Sequence, residues 1–294
     1  MKDNIEQQEK RRRPILPQKI RRNLILILIG SAVAINQPLV LTQGEERVFY
    51  NNVTVNVTAA IAVAFAAVTI YRQKLDGLYG KTYLSLTIGL GLWLAAEITW
   101  TYFEIGLKID TPFPSVADVF WLTGYGFFAY HLYGIYKFVG KNTVKQTAVL
   151  IVSITTAIAL GYLVSLMIAV SEVSNGQEQK ADEVILTLVS ISYPILDGVL
   201  LVPAILILWS IRYGKLVVTH WMLIALSMIF VAIADSGFGY MAVSNINSVQ
   251  EVDWLWDILY NAGYLSIAFA LVWYNRFFVF NEKKEQQKWQ ERNR

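Results

Sequence analysis

Charges divide this chain into eight apolar runs, each about the 20 residues that a helix needs to cross a bilayer. They lie near Leu24 to Leu41, Val53 to Tyr71, Tyr83 to Phe103, Val116 to Phe138, Thr147 to Val170, Val184 to Ile211, Leu216 to Val243 and Trp256 to Phe280. Hydrophobic residues are 55% of the 294 and charged ones 16%, with mean hydropathy +0.43, which is more apolar length than one soluble core takes. Lipid offers no partners to backbone N–H and C=O groups, so the runs are read as helices. The expected fold is all-α: a polytopic integral membrane protein of about eight transmembrane helices. A basic segment (1–23) precedes a transmembrane domain (24–280), and a charged tail (281–294) follows.

The positions of the basic residues test that count. Of the 25 Lys and Arg, 22 fall in the N-terminal segment, in alternate loops and in the tail. The intervening loops hold only Arg47, Lys108 and Lys180, beside acids such as Glu45, Glu46, Asp110, Glu172 and Glu183. The positive-inside rule places both termini in the cytoplasm of a multi-pass cell-membrane protein, which requires an even number of spans. Two readings fit the first run. Ala32-Val33-Ala34 after Leu24 to Gly30 has the form of a signal-peptide cleavage site, whereas the long basic segment and Leu39 to Leu41 favour an uncleaved helix. The net charge of +3 belongs to the loops that face anionic headgroups, so the partner it implies is the lipid bilayer and not nucleic acid.

Two stretches of the chain repeat. Glu97 and Asp235 each precede a tyrosine by five residues, Tyr102 and Tyr240. Asp118 to Phe138 then matches Asp257 to Phe277, with six of 21 positions identical, including Gly124-Tyr125 and Gly263-Tyr264. Four spans separate the copies, so two parallel four-helix repeats, about 24–140 and 147–280, are expected about an axis along the membrane normal. The glycines are expected where helices approach closely.

Carboxylates inside apolar runs are the candidate site. Asp197 lies near the middle of the sixth run, where a charge costs about 3 kcal/mol on insertion scales, and Tyr193 shares its face one turn back. Glu97 lies on a stripe with Trp93, Trp100 and Glu104, and aromatic faces with carboxylates suit a small cationic ligand or protons. Asp118 and Asp257 also read as helix-start residues. Ser115 with Asp118 forms a capping box, and Asp253 caps the last helix in the same way. The ligand-binding set is therefore Glu97, Trp100, Asp118, Tyr193, Asp197, Asp235 and Asp257, around an outward-facing pocket between the repeats. No cofactor is expected, and the pattern specifies no metal. There is no cysteine, and the two histidines, His131 and His220, lie in the cytoplasmic halves, away from the acids. Three-histidine zinc chemistry is thus excluded. Asn52-Val53-Thr54 and Asn56-Val57-Thr58 match the glycosylation pattern but lie at the membrane edge.

Pro114-Ser115-Val116-Ala117-Asp118, with Tyr193-Pro194-Ile195-Leu196-Asp197, Ala234-Asp235 and the stretch from Asp257 to Tyr264, resembles multi-span sensory membrane domains. Such domains precede histidine kinase or diguanylate cyclase modules in bacteria and archaea. The resemblance covers about Trp93 to Phe277 and implies a sensory role. Only Asn281 to Arg294 follows the last run, so output is expected to pass through a signalling partner, cytoplasmic or in the membrane. Two alternatives are weighed beside it. A small-solute or proton-coupled transporter fits the repeats and the midplane acid. Glu97, Asp235 and the run Phe127 to Tyr133 with His131 also resemble lysoplasmalogenase-like lipid hydrolases, with Glu97 where an Asp is expected. A binding role is favoured over catalysis.

Overall fold

A computed structural model describes residues 18–73, 75, 77–109, 113–139, 153–154, 156, 161, 181–213, 219–244 and 254–276. Among them are seven α-helices and no strand: α1 (Gln18–Leu41), α2 (Gly44–Gln73), α3 (Gly77–Thr101), α4 (Val116–Val139), α5 (Ala181–Tyr213), α6 (Thr219–Ser244) and α7 (Trp254–Tyr274). A π-helical turn, Tyr102–Gly106, continues α3. Five of these helices, α2, α3 with its π turn, α5, α6 and α7, are long and apolar enough to cross a membrane. The chain is therefore a helical, multi-pass membrane protein.

Helices α1 and α4 form where the sequence places them. The described part of the apolar run in α1 is Leu26–Leu41. Helix α4 carries Asp118, Tyr125 and His131, all turned into the protein and at most 2% exposed. The expected fifth run, Thr147 to Val170, lies outside the described residues except at 153, 154, 156 and 161. Asp253 also lies outside them. Pro194 and Pro203 do not break α5, which runs unbroken for 33 residues.

Each helix packs on the next from α2 to α7, and α7 returns to α2, so six helices close a ring with α1 outside it against α2 and α7. The middle of the ring is apolar: Leu86, Leu90, Phe128, Ile224, Met228 and Ile267 are at most 2% exposed. On one side of this layer, His131 donates to the Thr82 carbonyl at 2.8 Å. There Tyr83 lies between the His131 and Tyr274 rings, with centroids 5.2 and 4.6 Å away, and His220 lies 5.0 Å from Tyr274. Both histidines are buried and serve the core, away from the acids as expected.

The two sequons are structural. Asn52 is buried and donates to Glu104 at 2.7 Å, and Asn56 donates to Thr101 at 2.7 Å. Thr58 donates to Asn261, whose amide donates to Asn36 and Thr54 at 3.0 and 3.2 Å. These bonds join α1, α2, α3 and α7, because a polar group inside the membrane is stable only when its partners lie on neighbouring helices.

Close approach of α3 and α4 depends on one glycine. A Cβ on Gly124 would lie 2.5 Å from Trp93, whose ring is held in place by its N–H bond to the Trp121 carbonyl at 3.1 Å. Gly124→Ala should therefore destabilise the protein by about 1–3 kcal/mol through overpacking. Two residues on, nothing lies within 4 Å of a Cβ on Gly126, so Gly126→Ala should be neutral or stabilising by up to about 1 kcal/mol from helix propensity. Thermal unfolding of the two variants checks the contrast.

Candidate functional site

The acids singled out in the sequence meet at one end of the ring, above the apolar layer. Glu97 on α3 accepts the Tyr264 hydroxyl at 2.7 Å and the Trp121 indole N–H at 3.3 Å. Asp235 on α6 accepts the Tyr260 hydroxyl at 2.5 Å on one oxygen. Its other oxygen faces the Tyr125 hydroxyl at 2.5 Å. That same hydroxyl lies 2.7 Å from Asp197 on α5, so one phenol links Asp197 and Asp235. Helices α3, α4, α5, α6 and α7 thus converge on three carboxyl groups. Every hydrogen bond described to these three carboxyl groups comes from an aromatic donor; no Lys or Arg is among them.

Asp118 has the helix-start geometry that its spacing predicts. Ser115 is the cap: its hydroxyl accepts from the Ala117 N–H at 3.2 Å, and Asp118 accepts from the Ser115 N–H at 2.6 Å. The other Asp118 oxygen accepts the Tyr193 hydroxyl at 2.6 Å, which ties the start of α4 to α5. Tyr193 and Asp197, one turn apart on α5, therefore have different partners on α4: Tyr193 donates to Asp118, and Asp197 meets the Tyr125 hydroxyl.

Above the acids lies a layer of aromatic rings. Trp100 donates to Glu104 at 3.0 Å and packs 5.6 Å from Trp121 and 6.1 Å from Phe238. Phe113 packs between Phe238 and Tyr193, with centroids 5.8 and 6.3 Å away. Glu104 lies in the π turn, a local widening that turns the chain after α3 so that Tyr102 points outward, 59% exposed. The repeated tyrosine at that position is therefore outside the site; the side chain of its counterpart, Tyr240, lies outside the described residues. Glu97 and Asp235 keep part of their surface accessible, as do Trp100, Trp121, Tyr193 and Tyr260, whereas Asp118 and Asp197 are buried. Asp257 stands in the first turn of α7, partly buried, three residues before Tyr260.

Four aromatic residues that hold the cluster together, Trp121, Tyr125, Tyr260 and Tyr264, are not among the residues predicted from the sequence. A signal existed for Tyr125 and Tyr264: each follows the glycine that repeats at the same distance from Asp118 and from Asp257. Their spacing reads as helix packing, and only the folded ring brings their hydroxyls to acids on other helices.

Comparison with known proteins returns no match: no family model, no curated protein and no solved structure aligns with this chain. The class is that of a helical multi-pass membrane protein, and any function must be argued from the residues alone.

Proposed function

We propose that this chain is a membrane sensor that binds protons at Asp197, Tyr125 and Asp235, accessible from outside the cell, and passes the signal to a partner chain. A small cation is the other occupant compatible with three acids. The observation that carries the proton reading is the position of the Tyr125 hydroxyl within hydrogen-bonding distance of two carboxyl groups. A phenol has one hydrogen. It donates to one acid, so the other acid holds its bond only by carrying a proton and donating to the phenol oxygen. Charge balance agrees, because a buried charge with no opposite partner is costly in the membrane.

In this reading the full architecture is eight spans in two parallel repeats, with cytoplasmic termini and the acids toward the outer face. Matched contacts support the repeats. Glu97 and Asp235 each accept from an aromatic side chain of their own half, Trp121 and Tyr260, which occupy equivalent positions three residues after Asp118 and Asp257. Each is also reached from the opposite half by the tyrosine of the repeated Gly-Tyr pair, Glu97 by Tyr264 and Asp235 by Tyr125. A Cβ on Gly124 would meet Trp93 and the Gly89 carbonyl, and one on Gly263 would meet Val231 and the Ser227 carbonyl. Trp93 and Gly89 stand four and eight residues before Glu97; Val231 and Ser227 stand the same distances before Asp235. The crossed tyrosines couple the halves, so a proton gained or lost at Asp197 changes how they hold each other.

Sensing is favoured over transport by the apolar layer of Leu86, Leu90, Phe128, Ile224, Met228 and Ile267, which separates the acids from the polar residues on the other side. The same layer separates His131 from the acids, which removes the histidine that a lipid hydrolase of this kind would use. Infrared spectra of the protein in lipid test the reading. A protonated-carboxyl band is expected at neutral pH, and it should disappear in Asp197→Asn, Asp235→Asn protein. Its absence from the wild type would overturn the proposal.

A further inference from the structure

On its exposed side the α3–α4 pair has a groove of about 550 Å³, lined by Lys81, Ser85 and Ile88 from α3 and Gly126, Phe127 and Tyr130 from α4. That volume is in the range that holds a small ligand. Three observations explain why it is open. Nothing lies within 4 Å of a Cβ on Gly126, Ser85 is turned aside by its bond to the Phe127 carbonyl at 2.7 Å, and Ile88 and Tyr130 are 39% and 46% exposed. The groove has a direction. Helices α3 and α4 run antiparallel, so the Lys81 ammonium and the Tyr130 hydroxyl lie at one end, and the apolar walls extend roughly 10 Å from Lys81 to Ile88 at 1.5 Å per residue.

The geometry points to a phospholipid with an anionic headgroup as the occupant, its phosphate at Lys81 and an acyl chain against Ile88, Gly126 and Phe127. Lys81 lies at the start of α3, the end that the charge distribution assigns to the cytoplasmic leaflet, where anionic lipids attract basic residues. A long lysine stem reaches the headgroup level while its methylenes cover apolar surface. Helices α6 and α7 offer no such site: the residues at the same spacings, Thr219 for Lys81 and Leu265 for Gly126, are buried, and neither is a cation. The groove is therefore not a feature that α6 and α7 share. Its occupant would press on the pair that carries Glu97, Trp121 and Tyr125 on its other side. The assignment does not depend on the proton reading; only the leaflet depends on the proposed orientation.

Retention of phosphatidylglycerol and phosphatidylcholine by the purified protein, measured by native mass spectrometry in detergent, tests it. Wild type should retain phosphatidylglycerol more strongly. Lys81→Gln, an exposed change that leaves folding intact, should lower that preference about fivefold, the size of one lysine's contribution at an anionic surface. Gly126→Leu, which fills the groove, should lose both lipids while unfolding at the wild-type temperature in lipid-free detergent. Equal retention of the two lipids by wild type, an unchanged preference in Lys81→Gln, or wild-type retention in Gly126→Leu would each overturn the inference.

Discussion

Asp197→Asn protein should fold, insert and unfold at a temperature that depends less on pH than the wild type's, and it should be more stable than the wild type in alkali. The amide donates permanently to the Tyr125 oxygen, which leaves the phenol hydrogen for Asp235, so the variant keeps the bonding pattern of the proton-bound state. Wild type in alkali has one phenol hydrogen between two carboxylates, 2.7 and 2.5 Å away. Leaving one of them without a donor costs about 1–3 kcal/mol, and more for a charge. The sign follows: wild-type stability is present while the proton is bound and is lost as rising pH removes it. Variant and wild type should agree in acid and separate in alkali by several degrees, at about 2–4 °C per kcal/mol for a chain of this size. Thermal unfolding in lipid nanodiscs at two pH values measures the gap. An Asp197→Asn protein with the wild-type pH slope would sink the proton site.

The described helices were legible in the sequence because lipid leaves little choice: apolar runs near 20 residues with charges between them must be helices. Helix α4 was legible although polar residues dilute it, since Ser115 and Asp118 fix its start by local chemistry, and both capping bonds form. The acids were legible for a similar reason, since a carboxylate in an apolar run stands out. Their partners were not. Tyr260 and Trp121 lie on the helix that follows each acid's own, so a bond to it depends on the rotation of two helices about their axes, which the ring sets and no local spacing records. Tyr264 reaches Glu97 from 167 residues away. The π turn was equally hidden, because Tyr102 to Gly106 has an ordinary helical composition. Asn52 and Asn56 match a surface pattern in sequence yet bond to Glu104 and Thr101 inside the protein.

Tyr125→Phe should be the most damaging conservative change in the molecule. The ring stays, so its packing 5.6 Å from Trp93 and 6.2 Å from Tyr193 is kept, and only the oxygen is lost. That oxygen serves two acids at once. Asp197 loses the one hydrogen bond described for its side chain, and Asp235 keeps Tyr260. The expected cost is about 3 kcal/mol, at the upper end for an unsatisfied buried polar group, and the unfolding temperature should fall by about 6–12 °C. Tyr264→Phe, the change at the other Gly-Tyr pair, should cost less, near 1 kcal/mol, because Glu97 keeps the Trp121 N–H and part of its surface remains accessible. A double-mutant cycle separates the bridge from general packing. If Tyr125 and Asp197 act as one hydrogen-bonded unit, Tyr125→Phe with Asp197→Asn should differ from the sum of the single changes by more than about 0.5 kcal/mol, whereas residues without a shared partner add within that margin. Additive effects would leave Tyr125 as a packing residue and remove the bridge from which the resident proton is inferred.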